Sequence, residues 1–163
     1  MNTLAQYLGL LLSQHEMMLT TAESCTGGGV AQAITDIAGS SRWFERGFVT
    51  YTNTAKIEML GVSPDTLMQH GAVSEATVRE MVAGALAHSH AQIALAVSGI
   101  AGPSGGTPDK PVGTVWFAWG IADETILAQR HQLQGDRAAI RQQSVDIALQ
   151  GAISLLNQCT VSC

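Results

Sequence analysis

Residues Leu19 to Gly29 read Leu-Thr-Thr-Ala-Glu-Ser-Cys-Thr-Gly-Gly-Gly, and this stretch constrains the fold more than any other. The run from Met18 to Glu23 suits a buried strand. It stops at a hydroxyl and a thiol, Ser24 and Cys25; Gly27, Gly28 and Gly29 follow, and a helical pattern runs from Val30 to Ile37. A strand that turns through glycine into a helix leaves its last side chains at the mouth of a sheet. Helix N–H groups point toward them. Acyl transfer and phosphate binding both find electrophilic help at such a turn.

The rest of the chain supplies the elements to surround that turn. Leu4, Leu8, Leu11 and Leu12 have the spacing of an amphipathic helix over residues 2–15. Phe44 to Thr52, rich in β-branched and aromatic residues, predicts a second strand. Asn53 is positioned to cap a short helix that ends at Gly61, and Ser63-Pro64 to open another. A longer helix is expected from Ser74 to about His88, and a compact apolar strand from Ile93 to Ser98. Residues 99–112 are a Gly/Pro-rich loop. Gly113 to Ile121 and Thr125 to Leu133 read as a hairpin, and Asp136 caps a last helix to about Asn157. Strands alternate with helices first and a hairpin comes late. The expectation is a single α/β domain over residues 1–163: three layers, α/β/α, with a mixed sheet of five or six strands. Sites in such sheets collect at the carboxyl ends of strands, where Ser24, Thr52 and Ser98 fall.

Bulk properties narrow the partners. Of 163 residues 46% are apolar and 13% charged, with a net charge of −5. So light a charge suggests surface buried against another copy, and a homo-oligomer, with a dimer favoured, is expected. The negative charge and the lack of a basic run argue against a nucleic-acid partner. The Leu8–Leu12 run is too short to span a bilayer and lacks the flanks of a signal peptide. No membrane partner and a cytoplasmic location are expected. Three cysteines, Cys25, Cys159 and Cys163, then read as thiols in a reducing compartment. Cys159 and Cys163 lack a second ligand pair, so neither a metal nor a cofactor is expected.

The candidate chemistry starts at Ser24, which needs a base. His15, His70, His88, His90 and His131 all fall where surface residues are expected. The alternative is lysine, of which the chain has two, Lys56 and Lys110. Lys56 is expected in the first turn of a helix, where the helix dipole and partial desolvation both lower an ammonium pKa. A lysine so placed can take a proton from a serine, although taken alone this side chain reads more readily as a solvated surface group. The Tyr51 hydroxyl is within reach of such a pair. Cys25 competes with Ser24, since a thiol near a helix N-terminus is a good nucleophile. Next to Ser24 in an extended chain, it would point the other way. Ser98-Gly99-Ile100-Ala101-Gly102 opens a second glycine-rich loop able to form an anion nest. Arg42, Arg46, Arg137 and Arg141 are candidate anion partners.

Several blocks, in order, resemble the CinA C-terminal domain family. They are Thr21-Ala22-Glu23-Ser24-Cys25-Thr26-Gly27-Gly28, Thr35 to Ser41, Gly47 to Tyr51, Lys56, and His70 to Ser74. Ser98 to Pro103, Lys110 to Val115 and Gly135-Asp136-Arg137 complete the set. The chain is similar to the stand-alone members, the nicotinamide-nucleotide amidases, with no room for the further N-terminal domain of longer members. The resemblance implies hydrolysis of the carboxamide of nicotinamide mononucleotide to nicotinate mononucleotide and ammonia, recycling the pyridine nucleotide toward NAD. It implies Ser24 as nucleophile, Lys56 as base and Tyr51 beside them. Ser98 and Arg137 carry over from their own blocks. The chemistry would draw on backbone N–H groups around Cys25, Thr26, Gly27 and Gly28 for the oxyanion. Gly27–Gly29, the loop with Gly99 and Gly102, and Arg137 are open alternatives for the phosphate. A non-catalytic nucleotide-binding or protein-interaction module is the alternative from another class.

Overall fold

The computed structural model describes residues 2–161. Helix α1 (Thr3–His15) leads into strand β1 (Leu19–Glu23), helix α2 (Gly29–Thr35) and strand β2 (Phe44–Val49). Three helices follow: α3 (Asn53–Leu60), α4 (Pro64–His70) and α5 (Glu75–Ala87). Strands β3 (Ile93–Gly99), β4 (Thr114–Ile121) and β5 (Ile126–Gln132) precede the long helix α6 (Arg137–Val161). The sheet order is β2-β1-β3-β4-β5. β1 is parallel to both neighbours, while β4 is antiparallel to β3 and β5 to β4. This is the expected mixed sheet, with five strands. Among the described residues no helix is long and apolar enough to cross a membrane.

The two faces of the sheet differ in size, and that difference sets the layers. Leu19, Ile93, Leu95, Val97, Phe117 and Trp119 pack against α1, α2 and α6. The alternate residues on the opposite face are Ala22, Ala94, Ala96 and Ala118, covered by α5 and its neighbours through Leu60, Val78, Met81 and Val82. The short alanine side chains let α5 lie close to the sheet. It also lies close to the end of α3, because a Cβ on Gly84 would stand 1.9 Å from the Leu60 carbonyl oxygen.

The connections open the site. β1 reaches β2 through α2 on the bulky face, whereas β2 reaches β3 through α3, α4 and α5 on the alanine face. The chain leaves β1 and β2 on opposite sides, so a crevice forms at the carboxyl ends of the parallel strands.

Most element ends fall near their expected places, and two differ. β2 stops at Val49 rather than Thr52 because the chain turns there into α3. The cap of α3 is Thr52, not Asn53: the Thr52 hydroxyl accepts from the Ala55 N–H at 3.0 Å and Asn53 is already helical. Ser74 caps α5 as expected, accepting from Thr77 N–H, and the Asp136 carboxylate accepts from the Ala139 N–H at 2.9 Å. Cys163 lies outside the described residues; Cys159 packs half-buried against the core.

Gly84→Ala is expected to destabilise the fold by about 3 kcal/mol, since backbone must move to admit the methyl group. Urea denaturation measures this, and an unchanged midpoint would contradict the close packing of α5 on α3.

Candidate active site

Ser24 follows β1 directly and keeps its strand geometry: its N–H donates to the Val97 carbonyl at 3.0 Å. It is two residues beyond Ala22, as Ser98 is two beyond Ala96, so both hydroxyls belong to the alanine face of the sheet. Lys56 approaches from α3. Its Nζ donates to Ser24 Oγ at 2.9 Å, to the Thr50 carbonyl at 2.9 Å and, more weakly, to the Tyr51 carbonyl at 3.5 Å. Lys56 is only 1% exposed, which overturns the solvated surface reading.

Among the described residues no carboxylate shares an ion pair with Lys56. Burial therefore pushes its pKa down to about 8, and the neighbouring Cys25 opposes this slightly. The physical cause is desolvation of the ammonium form. At that value a substantial fraction of the lysine is neutral near physiological pH. A neutral amine has two N–H donors and one lone pair. With carbonyls of Thr50 and Tyr51 as acceptors for the two N–H groups, the lone pair faces Ser24 Oγ.

Cys25 does not have the reactive environment that a helix N-terminus suggests. It is buried in the core beside α6, and burial raises its pKa to about 11. Its own N–H, Arg141 and Lys56 only partly offset that rise. At neutral pH it is a protonated thiol.

The turn after Cys25 is locked from two sides. Gly27 and Gly28 take φ of 60° and 100°, which glycine adopts without strain. Glu23, fully buried, accepts from the Thr26 hydroxyl at 2.6 Å and from the N–H groups of Val30 and Ala31. It thus caps α2 from inside the sheet, a role that Gly28 has no side chain to fill. On the far side Arg141 donates to the carbonyls of Cys25 and Thr26. The Gly27 N–H is taken by the Ser24 carbonyl and the Gly29 N–H by the Thr26 carbonyl, each at 3.0 Å. Neither is free for an oxyanion, which corrects the broader expectation for this turn. The N–H groups of Cys25, Thr26 and Gly28 donate to no other residue.

A cavity of about 180 Å³ opens over this arrangement, lined by Ser24, Cys25, Lys56, Ser98, Gly99 and Arg137, with Tyr51 at its edge. Ala72 and Val73, between α4 and α5, add an apolar wall. A larger cavity of about 650 Å³ beside α1, near Leu10, Met17 and Trp43, holds no nucleophile–base pair. Arg137 bridges the mouth, donating to the Gly102 carbonyl at 2.8 Å and to the Tyr51 hydroxyl at 3.0 Å. The Tyr51 hydroxyl thus meets Arg137 rather than the Ser24–Lys56 pair, and Tyr51 turns its carbonyl to Lys56. Thr26, Gly27, Gly28 and Gly102 do not line this cavity; Thr26 lines instead, with Arg141, a separate one of about 350 Å³. Arg42 and Arg46 are spent elsewhere, on the Gly39 carbonyl and on Glu45. No histidine lines the cavity. Among the described residues no cluster of three or more His, Cys, Asp or Glu side chains could hold a metal ion.

The sequence reading missed the Thr50 carbonyl, the cap made by Glu23 and the true place of Arg141. The four-residue spacing of Arg137 and Arg141 was a usable signal, since it sets both on one side of a helix.

The chain is similar to known proteins over most of its length. The family model for the CinA C-terminal domain matches residues 1–156. The chain is 56% identical over 147 residues to the nicotinamide-nucleotide amidohydrolase PncC of Escherichia coli (strain K12), covering 90% of this chain and 89% of that protein. It is 54% identical over 153 residues to the protein of that name from Pseudomonas putida, covering 94% and 95%. The crystal structure of the competence/damage inducible protein CihA from Agrobacterium tumefaciens superposes with a TM-score of 0.91 at 46% identity, covering 94% of this chain and 93% of that one.

The depressed Lys56 pKa links stability to pH. Below about 8 the folded and unfolded chains both hold the proton, and stability is flat with respect to this group. Between that value and the unfolded lysine value of about 10.4, the unfolded chain holds more protons, so stability rises with pH by up to about 1.4 kcal/mol per unit. Urea titrations at pH 7, 9 and 10 are expected to show this rise in the wild type relative to Lys56→Met. Parallel pH curves for the two proteins would refute it.

Proposed function

This chain belongs to the CinA C-terminal domain family, and from that premise we propose that it hydrolyses the carboxamide of nicotinamide mononucleotide to nicotinate mononucleotide and ammonia. The substrate follows from the relatives named nicotinamide-nucleotide amidohydrolases, to which this chain is 54–56% identical. The observation that carries the chemistry is the 2.9 Å contact between Ser24 Oγ and a buried Lys56 Nζ whose pKa is about 8.

In this reading neutral Lys56 takes the Ser24 hydroxyl proton as Oγ attacks the carboxamide carbon. The resulting oxyanion is held by the N–H groups of Cys25 and Thr26. Lys56, now an ammonium, gives its proton to the departing amine, and ammonia leaves an acyl ester on Ser24. Water, deprotonated by Lys56, then attacks the ester, and the proton returns to Ser24 as nicotinate mononucleotide is released. Arginine could not fill this role, because it does not deprotonate.

A cavity of about 180 Å³ is below the ~300 Å³ typical of sites that enclose a drug-sized ligand. The pyridine carboxamide enters it, and the ribose and phosphate stay outside. Exposed Arg137, held by the Tyr51 hydroxyl and the Gly102 carbonyl, is the cation closest to that outer part. Tyr51 contributes its carbonyl to Lys56 and its ring to the mouth.

Purified protein incubated with nicotinamide mononucleotide is expected to release ammonia. No release at any pH from 6 to 10, with the nucleotide still bound, would instead mark a binding module. Ser24→Ala should abolish release while Cys25→Ala, which keeps its backbone N–H, retains most of it; the reverse pattern would make the thiol the nucleophile. The rate should rise with pH up to about 8 and then level as Lys56 loses its proton. Lys56→Arg should be inactive at every pH.

A further inference from the structure

We infer that Arg141 is a positioning residue that aims the Thr26 N–H, one of the two oxyanion donors of the Ser24 turn, an inference that rests on the serine-amidase reading. Its Nε donates to the Cys25 carbonyl at 3.0 Å and one Nη to the Thr26 carbonyl at 3.1 Å. A peptide is planar and trans, so drawing a carbonyl to one side turns the N–H of the next residue to the other. Two carbonyls drawn to one guanidinium therefore aim the N–H groups of Thr26 and Gly27 away from it. Gly27 obeys this geometry, since its N–H reaches back to the Ser24 carbonyl.

Thr26 makes the case specific. Its hydroxyl donates to Glu23, and its carbonyl accepts from Arg141 and from the Gly29 N–H. Its N–H alone has no acceptor, although the residue is 1% exposed. A buried backbone donor without a partner is rare in native proteins. The oxygen of a tetrahedral intermediate on Ser24 is an acceptor that would satisfy it. The guanidinium also polarises the Cys25–Thr26 peptide and strengthens the Thr26 N–H as a donor. Arg141 itself lies behind the turn, facing a separate cavity of about 350 Å³ between α2 and α6 that Thr26 also lines, and does not line the serine cavity. It therefore acts on the reaction through the turn, with Glu23 holding the other end of Thr26.

The test compares wild type, Arg141→Lys and Arg141→Gln. Three readouts are used: kcat and KM for nicotinamide mononucleotide, the pH midpoint of kcat, and the rate at which an alkyl fluorophosphonate modifies Ser24. That reagent loses fluoride to the attacking oxygen and leaves its phosphoryl oxygen where the oxyanion forms. Arg141→Gln is expected to lose about 10²-fold in kcat, as for removal of an oxyanion donor. KM should stay within about threefold, the signature of an interaction made only in the transition state. The pH midpoint should not move, and labelling should slow in parallel with kcat. Arg141→Lys, with one compact donor group for two carbonyls, should fall between; it carries the test if the glutamine variant does not fold. A raised KM at unchanged kcat would make Arg141 a substrate ligand, and a shifted midpoint would route its effect through Lys56; either overturns the inference. So does wild-type labelling in both variants. If the wild type released no ammonia but labelling still slowed in the variants, the substrate reading would fail and the role of Arg141 would stand.

Discussion

The site depends on one unfavourable burial. Lys56 brings an ammonium-capable group to 1% exposure with no carboxylate among the described residues to pair with it. An isolated charge in that position costs far more than a hydrogen bond returns, so the protein relieves it by making the neutral amine accessible. The Thr50 and Tyr51 carbonyls, both at the turn out of β2, are what make the position tolerable. The turn into α3, the Thr52 cap and the early stop of β2 all serve to bring those two carbonyls and the α3 side chain to the same point beside Ser24.

A second buried charge is handled in the opposite way. Glu23 lies one residue before Ser24 and is fully buried, yet three donors surround it. Its carboxylate serves α2 as the N-terminal cap that the glycine turn cannot supply. Adjacent residues of β1 thus face opposite sides of the sheet, with Glu23 organising the backbone behind the turn and Ser24 facing the cavity. The strand's alternation separates the structural carboxylate from the hydroxyl, so Glu23 does not neutralise Lys56.

The fold was largely legible in the chain because its signals are local. Apolar runs, Ser74 and Asp136 as caps, and glycine at helix ends each act within a few residues. Thr52 was misread because either Thr52 or Asn53 can cap, and only the backbone decides. The pairing of Ser24 with Lys56 came from the helix position and from the family resemblance, since nothing local to either residue reports a contact across 32 positions. The depth of Lys56 was not legible, because a long aliphatic stem on a short helix serves water or core equally well. Arg137 and Arg141 looked alike as sequence, yet one bridges the mouth of the cavity and the other reaches behind the turn. Their difference lies in their partners, Gly102 and Tyr51 for Arg137 but Cys25 and Thr26 for Arg141.

The alanine face of the sheet has a consequence for how such a site can change. Ala22, Ala94, Ala96 and Ala118 leave no spare volume under α5, and Ser24 and Ser98 lie on that same face. Enlarging any of these positions would lift the helix layer rather than reshape the cavity. New substrate preferences therefore have to arise at the rim, in the Ala72–Val73 connection, the loop after Gly99 and the start of α6. The strands hold the chemistry fixed, and only segments that can lengthen or bend without disturbing the layer beneath are open to change.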